Sequence, residues 1–487
     1  MIVSLVVVLY FLSLLFIFLF SLGQLHLTWL YLRSKKAPKQ LIVAVSPSLP
    51  FVTIQLPVYN ELYVVERLLD NISKICYPLD KLEIQVLDDS NDETIALIAD
   101  KVEQLKMQGL DIHHLRRKQR EGYKAGALQY GLKLAKGELI AIFDADFLPK
   151  EDFLAQTVDY FQDPNIGVVQ TRWGHINESY SILTKLQAFA LDAHFSIEQR
   201  GRNFSKSFIN FNGTGGVWRK SCIVDAGGWS ADTLTEDLDL SYRAQLKGWK
   251  FIYLQDVVAP AELPVFMPAI KSQQFRWNKG AAETAKKNLI KVISSKLPFT
   301  TKLHAFFHLL NSSMFLCLLL AAVLSVPMIF IQEFNPLFKV LSNLGFFFLM
   351  GFFSISFFYW IATRETRTKN APHFFKIFPL FLIISMGFSL HNGLAVLEGF
   401  SGFKSPFIRT PKFNIIEKKD LWKDKKYVLG SFNFLTLSEG LLSLFFFFAV
   451  ILGIIMSSYE FLIFHIMLSI GFGLVFFYSI SPVNDRH

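Results

Sequence analysis

The sequence predicts an α/β domain with a mostly parallel sheet, inserted between membrane-spanning α-helices. Of the 487 residues, 52% are hydrophobic, and Phe-rich runs lie mainly near the N-terminus and after residue 300. Between these runs the composition is that of a soluble domain, in which short apolar segments alternate with segments of helix length. Long apolar runs are typical of membrane spans, and the alternation is typical of a parallel sheet with helices on both faces.

Net charge and cysteine content narrow the possible partners. The net charge is +9, and the basic residues concentrate beside apolar segments. Anionic lipid and the excess of Lys and Arg in cytoplasmic loops explain such a distribution, so we expect a lipid bilayer and no nucleic acid as partner. Cys76, Cys222 and Cys317 are scattered without metal-ligand spacing. They are interpreted as ordinary thiols in a reducing, cytosolic setting.

The N-terminal segment predicts a membrane anchor. Residues 2–22 are almost wholly apolar and long enough to span a bilayer. The basic residues Arg33, Lys35, Lys36 and Lys39 follow this run, whereas a signal peptide carries its basic residues before the apolar core. The sequence therefore predicts an uncleaved anchor over 1–32, with the N-terminus outside and the next domain in the cytosol.

Residues 47–265 are predicted to form the α/β domain. The predicted strands are 51–57, 83–87, 111–115, 139–143 and 168–173, and the predicted helices are 93–107, 121–136 and 182–200. Such sheets bind ligands beyond the carboxyl ends of their strands. Asp88 and Asp89 follow one strand and Asp144 and Asp146 follow another, so we expect these acids to share one cleft.

Asp144-Ala145-Asp146 is a candidate metal site. In an extended segment, residues two apart point the same way, so two carboxylates project together from the end of a buried strand. Hard oxygen ligands suit Mg²⁺ or Mn²⁺, and Mg²⁺ usually keeps water and takes phosphate oxygens as further ligands. The alternative interpretation is a solvated acidic turn.

Two later segments are candidates for ligand contact. Residues 211–216, Phe-Asn-Gly-Thr-Gly-Gly, form a loop of small residues that lets backbone approach a ligand closely. Thr235-Glu236-Asp237 begins a predicted helix, where ordinary capping by Thr and acids in the first turn is an equally good explanation.

The second half of the chain predicts further membrane elements. Residues 267–294 have the pattern of an amphipathic helix on the cytosolic membrane surface, and Gln273-Gln274-Phe275-Arg276-Trp277 lies within it. Residues 378–400 are apolar, but a basic loop follows them, which favours an interfacial or re-entrant helix over a crossing. The remaining predicted spans are 304–331, 341–361, 437–456 and 460–480, which with the anchor make five. This half of the chain is therefore predicted to divide into four segments: 266–298 (amphipathic helices), 300–363 (two spans), 377–430 (interfacial helix and basic loop) and 432–482 (two spans).

Taken in order, the motifs are DDS, YKAGAL, DAD, TED and QQFRW, followed by spans. This order resembles the processive family 2 glycosyltransferases, which include cellulose, hyaluronan and chitin synthases. Longer runs, such as VLDDSNDET, FNGTGGVWR and EDLDLSYRAQLKGWKFIYL, are more similar to the cellulose-synthase-like mannan and glucomannan synthases of plants. The resemblance is close over residues 50–290 and loose over the hydrophobic remainder.

The resemblance implies a GT-A type, Rossmann-like domain in an inverting, membrane-embedded hexosyltransferase. The donor would be GDP-mannose or UDP- or GDP-glucose, the acceptor a growing β-linked polysaccharide, and the membrane a bacterial inner membrane or the Golgi. In this interpretation Asp144 and Asp146 hold Mg²⁺ or Mn²⁺, Asp88 and Asp89 hold the nucleoside, and Lys124 adds positive charge near the nucleotide. Asp237 with Glu236 provides the catalytic base. Gln273 and Arg276 bind the diphosphate, and Trp277 stacks on a sugar. For Arg276 and Trp277, a lipid-facing interfacial pair is the alternative.

Two other functions stay open. Glucosyltransferases that act on ceramide or diacylglycerol share the sparse motifs, and residues 404–414, KSPFIRTPKFN, only approximately match the F-x-V-T-x-K pattern of the gating loop in polymer synthases. A transporter or receptor with a nucleotide-binding domain would instead need ionisable residues deep in its spans, for which His304, His308 and His465 are candidates. That function leaves Asp237 and QQFRW without a role.

Overall fold

A seven-stranded mixed sheet forms the centre of the α/β domain in the computed structural model, which describes residues 1–37, 48–332, 338, 345–367, 371–423, 425–428 and 433–484. The strands are β1 (Val52–Val58), β2 (Leu82–Asp88), β3 (Ile112–Arg116), β4 (Leu139–Ile142), β5 (Ile166–His175), β6 (Gly216–Arg219) and β7 (Lys250–Ala261). Their order is β3-β2-β1-β4-β6-β5-β7. Among the strands that the structure describes, β6 pairs antiparallel with β4 and with β5 and the other ladders are parallel, so the predicted mostly parallel sheet is confirmed.

Helices cover both faces of the sheet and continue beyond the domain. The α-helices of the described part of the chain are α1 (Ile2–Ser34), α2 (Val65–Ile72), α3 (Thr94–Met107), α4 (Tyr123–Leu134), α5 (Phe153–Thr157), α6 (Ile182–Ala193), α7 (Gln199–Phe204), α8 (Lys220–Asp225), α9 (Glu236–Leu246), α10 (Met267–Ser294), α11 (Phe299–Leu309), α12 (Ser313–Ile331), α13 (Gly345–Thr366), α14 (Ala371–Gly387), α15 (Ser389–Ser401), α16 (Phe434–Ile455) and α17 (Leu462–Asn484). One core joins the sheet to α2, α3 and α5, and the other joins it to α4, α8 and α9. Because both faces are covered, the central strands β1, β2 and β4 are almost continuously buried.

The register of the central strands brings their carboxyl ends to one edge. Val58 of β1 lies opposite Asp88 of β2, and Gln55 lies opposite Ile142 of β4. The segments after β1, β2 and β4 therefore emerge side by side, as expected for the acids that follow two of these strands.

The helix predicted over 182–200 is interrupted. After α6 the chain makes a π-helical turn, His194–Glu198, before α7 begins. π-Turns of this kind are frequent at functional sites. Here the turn directs Nε2 of His194 to the side-chain oxygen of Asn212 at 3.2 Å.

Four described helices are long and apolar enough to cross a membrane: α1, α12, α16 and a helix spanning Tyr459–Ser481, most of which is α17. The second of these begins at Ser313 and not at His304 as predicted. His304 and His308 instead belong to α11, where His304 lies 3.1 Å from His26 and His308 lies 2.8 Å from the Tyr242 hydroxyl. The polar segment around Asn311 ends α11 before the apolar span starts. Helix α13 overlaps the predicted span 341–361, whose first residues lie outside the described residues.

Helix α10 has the predicted bounds, but its surroundings differ from the prediction. Protein encloses most of its length: Lys279 is fully buried against Glu398, and Lys271 pairs with Glu439 of α16 at 2.5 Å. Only its last turns expose apolar side chains, including Ile290, which is 76% exposed. The amphipathic pattern therefore reflects packing against protein along most of the helix, and the exposed apolar surface is restricted to its end.

Helices α14 and α15 form a pair bent by 51°. Just before this pair, Arg367 makes ion pairs with Glu178 and Asp192 of the α/β domain. Just after it, Lys412 pairs with Asp146 of the same domain. Both flanks of the pair therefore contact one domain, as a re-entrant arrangement requires, and the re-entrant helix stays a prediction.

We expect residues after α15 to be accessible only from the side of the α/β domain. Lys404 is exposed in the structure and suits replacement by a reactive thiol. In a Lys404→Cys protein that also carries Cys76→Ser and Cys317→Ser, an impermeant thiol reagent added to intact cells should not label the new cysteine. Permeabilisation should allow labelling. Cys222 can be kept because it is fully buried.

The parent protein without Lys404→Cys is the background control. Labelling of Lys404→Cys in intact cells would contradict both the re-entrant pair and the cytosolic position of the domain.

Candidate active site

The segments after β1, β2 and β4 line one cavity together with α10 and residues 403–428, which we call the strap. The cavity volume is about 210 Å³, below the roughly 300–1,000 Å³ typical of small-ligand sites. The sequence-predicted site residues that line it are Asp89, Lys124, Asp144, Asp146, Glu236, Asp237, Gln273, Arg276 and Trp277. Asp88 lies behind the wall.

The two acids of the DDS motif have different environments. Asp88 is 1% exposed, accepts a hydrogen bond from Ser90 N at 2.8 Å and lies 2.8 Å from Nε2 of His114. Burial raises the pKa of Asp88, but the hydrogen bonds with His114 and Ser90 lower it by more, so that the pKa lies below its ordinary value. Asp89 lines the cavity and accepts two hydrogen bonds from the Arg117 guanidinium. The structure thus presents Asp89, and not Asp88, to a ligand.

The acids of the D-A-D motif are each paired with a lysine. Thr214 Oγ1 accepts a hydrogen bond from Asp144 N at 2.9 Å and so fixes the backbone after β4. The Asp144 carboxylate lies 2.5 Å from Lys124 Nζ, and the Asp146 carboxylate lies 2.6 Å from Lys412 Nζ. Burial raises the pKa of Asp144, partly offset by Lys124. Two lysines from distant segments therefore converge on this acidic pair.

The donor set fits a divalent cation that is shared with a ligand. The described residues contain no group of three or more His, Cys, Asp or Glu side chains placed to hold a metal, so the protein would supply few ligands of its own. Mg²⁺ is commonly bound in this way, by one or two carboxylates, waters and substrate phosphates. Carboxylates in excess around the cavity, with raised pKa values at Asp144, Glu236 and Asp237, also favour added positive charge.

Glu236 and Asp237 form the first turn of α9. The Thr235 side chain does not cap this helix, because its hydroxyl lies 3.2 Å from the Thr284 hydroxyl instead. The capping explanation of this motif therefore fails for Thr235. Burial, and then the adjacent Glu236, raise the pKa of Asp237 to about 7.

Gly213 makes room for the Asp237 carboxylate. Its φ of +80° is accessible to glycine at little cost. A Cβ at this position would lie 3.2 Å from Oδ2 of Asp237 and 3.5 Å from Nζ of Lys124. Lys124 Nζ also donates to the Gly213 carbonyl at 3.0 Å. The small-residue loop thus brings backbone between the T-E-D acid and the lysine of the D-A-D pair.

The QQFRW segment lies on α10 and turns Gln273, Arg276 and Trp277 to the cavity. Arg276 donates to Thr410 Oγ1 at 2.7 Å and lies 4.6 Å from the centre of the Phe407 ring. Its Nε is buried without a hydrogen-bond partner in the described part of the chain. Such an unsatisfied guanidinium nitrogen is costly unless a ligand pairs with it.

The strap covers the cavity and is fastened to the domain at several points. Phe407, Arg409, Thr410 and Lys412 line the cavity. Beyond them the strap is held by an ion pair between Lys426 and Glu93, by a hydrogen bond from the Tyr427 hydroxyl to Asp92 and by stacking of Trp422 on Phe266. A ligand larger than the cavity therefore requires the strap to move.

Sequence reasoning missed two features of the wall. Glu61 was not among the predicted site residues, yet it faces Arg409 at 3.2 Å, and burial raises its pKa to about 8. Arg120 was not considered, yet its guanidinium lies 3.3 Å from the centre of the Tyr59 ring. The position of Glu61 just after a strand was the available signal, whereas the strap residue opposite it lies about 350 positions away in sequence.

Comparison with known proteins finds similarity to glycosyltransferases. Residues 50–280 match the family described as "Glycosyltransferase like family 2". Glucomannan 4-beta-mannosyltransferase 1 of Oryza sativa subsp. japonica is 38% identical over 302 residues, which cover 59% of this chain and 58% of the relative. The enzyme of the same name from Cyamopsis tetragonoloba is 38% identical over 317 residues, with 61% and 60% covered. The chain thus spans about three fifths of the length of these relatives.

A solved structure shares the fold. The mannosyltransferase PcManGT of Pyrobaculum calidifontis, in complex with GDP-Man and Mn²⁺, superposes with a TM-score of 0.51 at 23% identity, covering 75% of this chain and 98% of its own. The resemblance drawn from the motif order is therefore confirmed, and so is the GT-A type sheet. Residues 50–280 of this chain, just under half of its length, are therefore similar to the family 2 glycosyltransferases.

Proposed function

We propose that the chain is a membrane-embedded, inverting hexosyltransferase that moves a hexose from a nucleotide sugar to a growing β-linked polysaccharide. The observation that carries this proposal is the arrangement of Asp237, Lys124 and the Asp144/Asp146 pair around one cavity. The names of the plant relatives favour a mannosyl donor among the hexoses, and the GDP-Man bound in the PcManGT structure favours a guanine nucleotide.

The residues suit a direct displacement at the sugar. A hydroxyl oxygen of the acceptor forms a bond to the anomeric carbon while the bond from that carbon to the diphosphate breaks. Asp237 accepts the hydroxyl proton, since a carboxylate with a pKa of about 7 is a suitable base near neutral pH. Glu236 beside it raises this pKa and shares the negative charge of the pair.

The diphosphate end of the donor is assigned to the cationic side of the cavity. Asp144 and Asp146 would hold Mg²⁺ or Mn²⁺, which when bound neutralises charge on the leaving diphosphate. Arg276 offers its unpaired Nε, and Gln273 lies on the same face of α10. Planar, multi-donor contacts of Arg suit phosphate oxygens.

The nucleoside and the acceptor are assigned to opposite ends. Asp89 is retained as the nucleoside residue, and Asp88 is proposed to act by holding the end of β2. The Tyr59 ring with Arg120 stacked on it provides a flat surface beside Asp89. Trp277 on α10 offers a ring face for a sugar.

We place the domain in the cytosol of a multi-pass membrane protein, of a bacterial inner membrane or the Golgi. Basic residues next to α1 and after α15 support this orientation. The strap would open to admit the donor and close over it, because the closed cavity is too small for a complete nucleotide sugar.

Transfer to a membrane lipid is the alternative. The strap has Arg409 at the position where the gating pattern of polymer synthases has Val. The positive charge of Arg409 lies beside the Glu61 carboxyl group. A changed strap would allow release after one transfer.

Isolated membranes that contain the protein should transfer a hexose from one member of a panel of UDP- and GDP-sugars. Product sizing then separates a polymer from a single glycolipid. Membranes with the Asp237→Asn protein serve as the matched control. Absence of sugar transfer and of nucleotide release with every donor would contradict the proposed function.

A further inference from the structure

The last residue of β5, His175, lies on the cavity wall without a role in the chemistry described above. It pairs with Ala261 of β7, and its side chain is 5% exposed. Pairing between β5 and β7 therefore fixes the backbone of His175. Because the side chain is also buried, the imidazole has little freedom to move.

A buried carboxylate stands behind the imidazole. Nε2 of His175 lies 3.1 Å from Oδ1 of Asp192, and the other oxygen of Asp192 lies 3.5 Å from the Arg367 guanidinium. Burial raises the pKa of Asp192, but the hydrogen bond with His175 and the charge of Arg367 lower it more. Asp192 is therefore ionised and can only accept, so Nε2 of His175 carries a proton and donates.

Because Nε2 is engaged by Asp192, Nδ1 is the ring nitrogen that remains for a ligand. In a neutral imidazole whose Nε2 is protonated, Nδ1 holds a lone pair and accepts. Nδ1 makes no hydrogen bond with any residue that the structure describes, although the ring lies on the cavity wall. A fixed acceptor on a cavity wall is suited to a ligand that donates, such as a hydroxyl group.

Uncharged residues line the cavity beside this pair in the chain. Trp173 lies two residues before His175, and Leu191 lies directly before Asp192. The charged lining residue Glu262 follows Ala261, the β7 partner of His175, and its carboxylate is paired with Arg67. A ligand group that carries hydroxyls but no charge, as a sugar ring does, suits this part of the wall. An aromatic face beside a hydrogen-bond acceptor suits such a ring.

We propose that His175, oriented by Asp192, binds a hydroxyl of a sugar ring as a hydrogen-bond acceptor. This inference rests on the proposed function. The sugar ring belongs either to the donor hexose or to the acceptor. The two sources are distinguished by the release of nucleotide from the donor in the absence of acceptor.

The test compares His175→Phe with His175→Asn. Phe keeps the volume of the ring and removes both nitrogens, whereas the side-chain amide of Asn lies close to the position of Nδ1. We expect His175→Phe to lower kcat/KM for transfer about tenfold, the effect of leaving one buried hydroxyl unpaired, and His175→Asn to recover part of it. Asp192→Asn no longer fixes the tautomer of His175, so its kcat/KM should lie between those of His175→Phe and His175→Asn.

Two assays assign the ring. Release of nucleotide from the donor in the absence of acceptor should fall in His175→Phe when His175 binds the donor hexose. It should stay normal, with transfer alone reduced, when His175 binds the acceptor. His113→Phe is the matched control, because His113 also lies 2.8 Å from a carboxylate, that of Asp111, but does not line the cavity.

A binding assay separates this inference from the proposed function. Tryptophan fluorescence titrated with β-1,4-linked mannotetraose or cellotetraose, with and without the donor nucleotide, needs no turnover, and weaker binding to His175→Phe than to His113→Phe supports the inference. Transfer within twofold of wild type together with unchanged titrations would overturn it. Failure of the proposed function would instead appear in the wild-type protein, as no nucleotide release from any donor.

Discussion

Asp237→Asn is expected to lower the rate of sugar transfer by about a hundredfold or more while the nucleotide sugar still binds. General-base catalysis typically contributes about 10²–10⁴-fold, and a base acts on the acceptor hydroxyl in the transition state, not on the bound donor. The Asn side chain has the same shape, so Gly213 and the first turn of α9 need not move. Turnover by nucleotide release and donor affinity by titration are the two measurements.

Asp100→Asn provides the control for this substitution. Asp100 is an exposed acid on α3 and is not part of the cavity lining. If donor affinity falls in parallel with turnover in Asp237→Asn, then Asp237 is a binding residue and the base must be sought elsewhere, first at Glu236.

The pH dependence of the wild-type enzyme tests the same assignment. The pKa of Asp237 is raised to about 7, chiefly by burial, and a base works only when it is deprotonated. We therefore expect kcat/KM to fall as the pH is lowered through about 7, instead of near the ordinary carboxyl range of about 4. This acid limb should be missing from the residual activity of Asp237→Asn. An unchanged limb in the variant would assign it to another group, for which Glu61 is a candidate because its pKa is also raised.

The fold could be predicted from sequence wherever one local pattern decided the element. Strands β1, β2 and β4 are almost completely buried, and their predominantly apolar segments were easily recognised. β6 was missed because it is only four residues long, Gly216–Arg219, and follows directly on a glycine-rich loop. Its antiparallel position between β4 and β5 depends on long-range pairing that no local pattern reports.

The residues of the candidate site were likewise predicted where local position decided them and missed where long-range contacts did. Acids at strand ends and the T-E-D and QQFRW segments were found because their positions follow from the elements that carry them. The strap contacts could not be found, since Lys412 and Asp146 are 266 residues apart and pair only through the return of the chain after α15. The role of His175 was hidden for the same reason, because its partner Asp192 lies on a different element and only the tertiary structure places the pair at the cavity.

Asp146→Asn is expected to remove most metal-dependent donor binding. Even the hydrogen-bond partners of metal ligands typically matter by about 10–100-fold in affinity, so we expect at least about a hundredfold loss for a ligand itself. The fold should persist, because the carboxylate lies at the cavity and its one described ion pair is with Lys412 of the strap. Donor binding is measured over a Mg²⁺ or Mn²⁺ titration, with Asp100→Asn as control. Full activity of Asp146→Asn in the presence of chelator would refute the metal assignment.

Lys412→Met separates the metal from the lysine that now holds the same carboxylate. Lys412 Nζ lies 2.6 Å from Asp146 and also donates to the Glu262 carbonyl, so in this closed arrangement an ammonium group occupies the position in which a cation would contact Asp146. A metal ion must displace it, and removal of the ammonium should therefore raise metal affinity while Asp146→Asn lowers it. Opposite shifts in the two variants identify Asp146 as a ligand for which metal and strap compete. Loss of metal affinity in both would mean that Lys412 supports the metal site instead of competing for it.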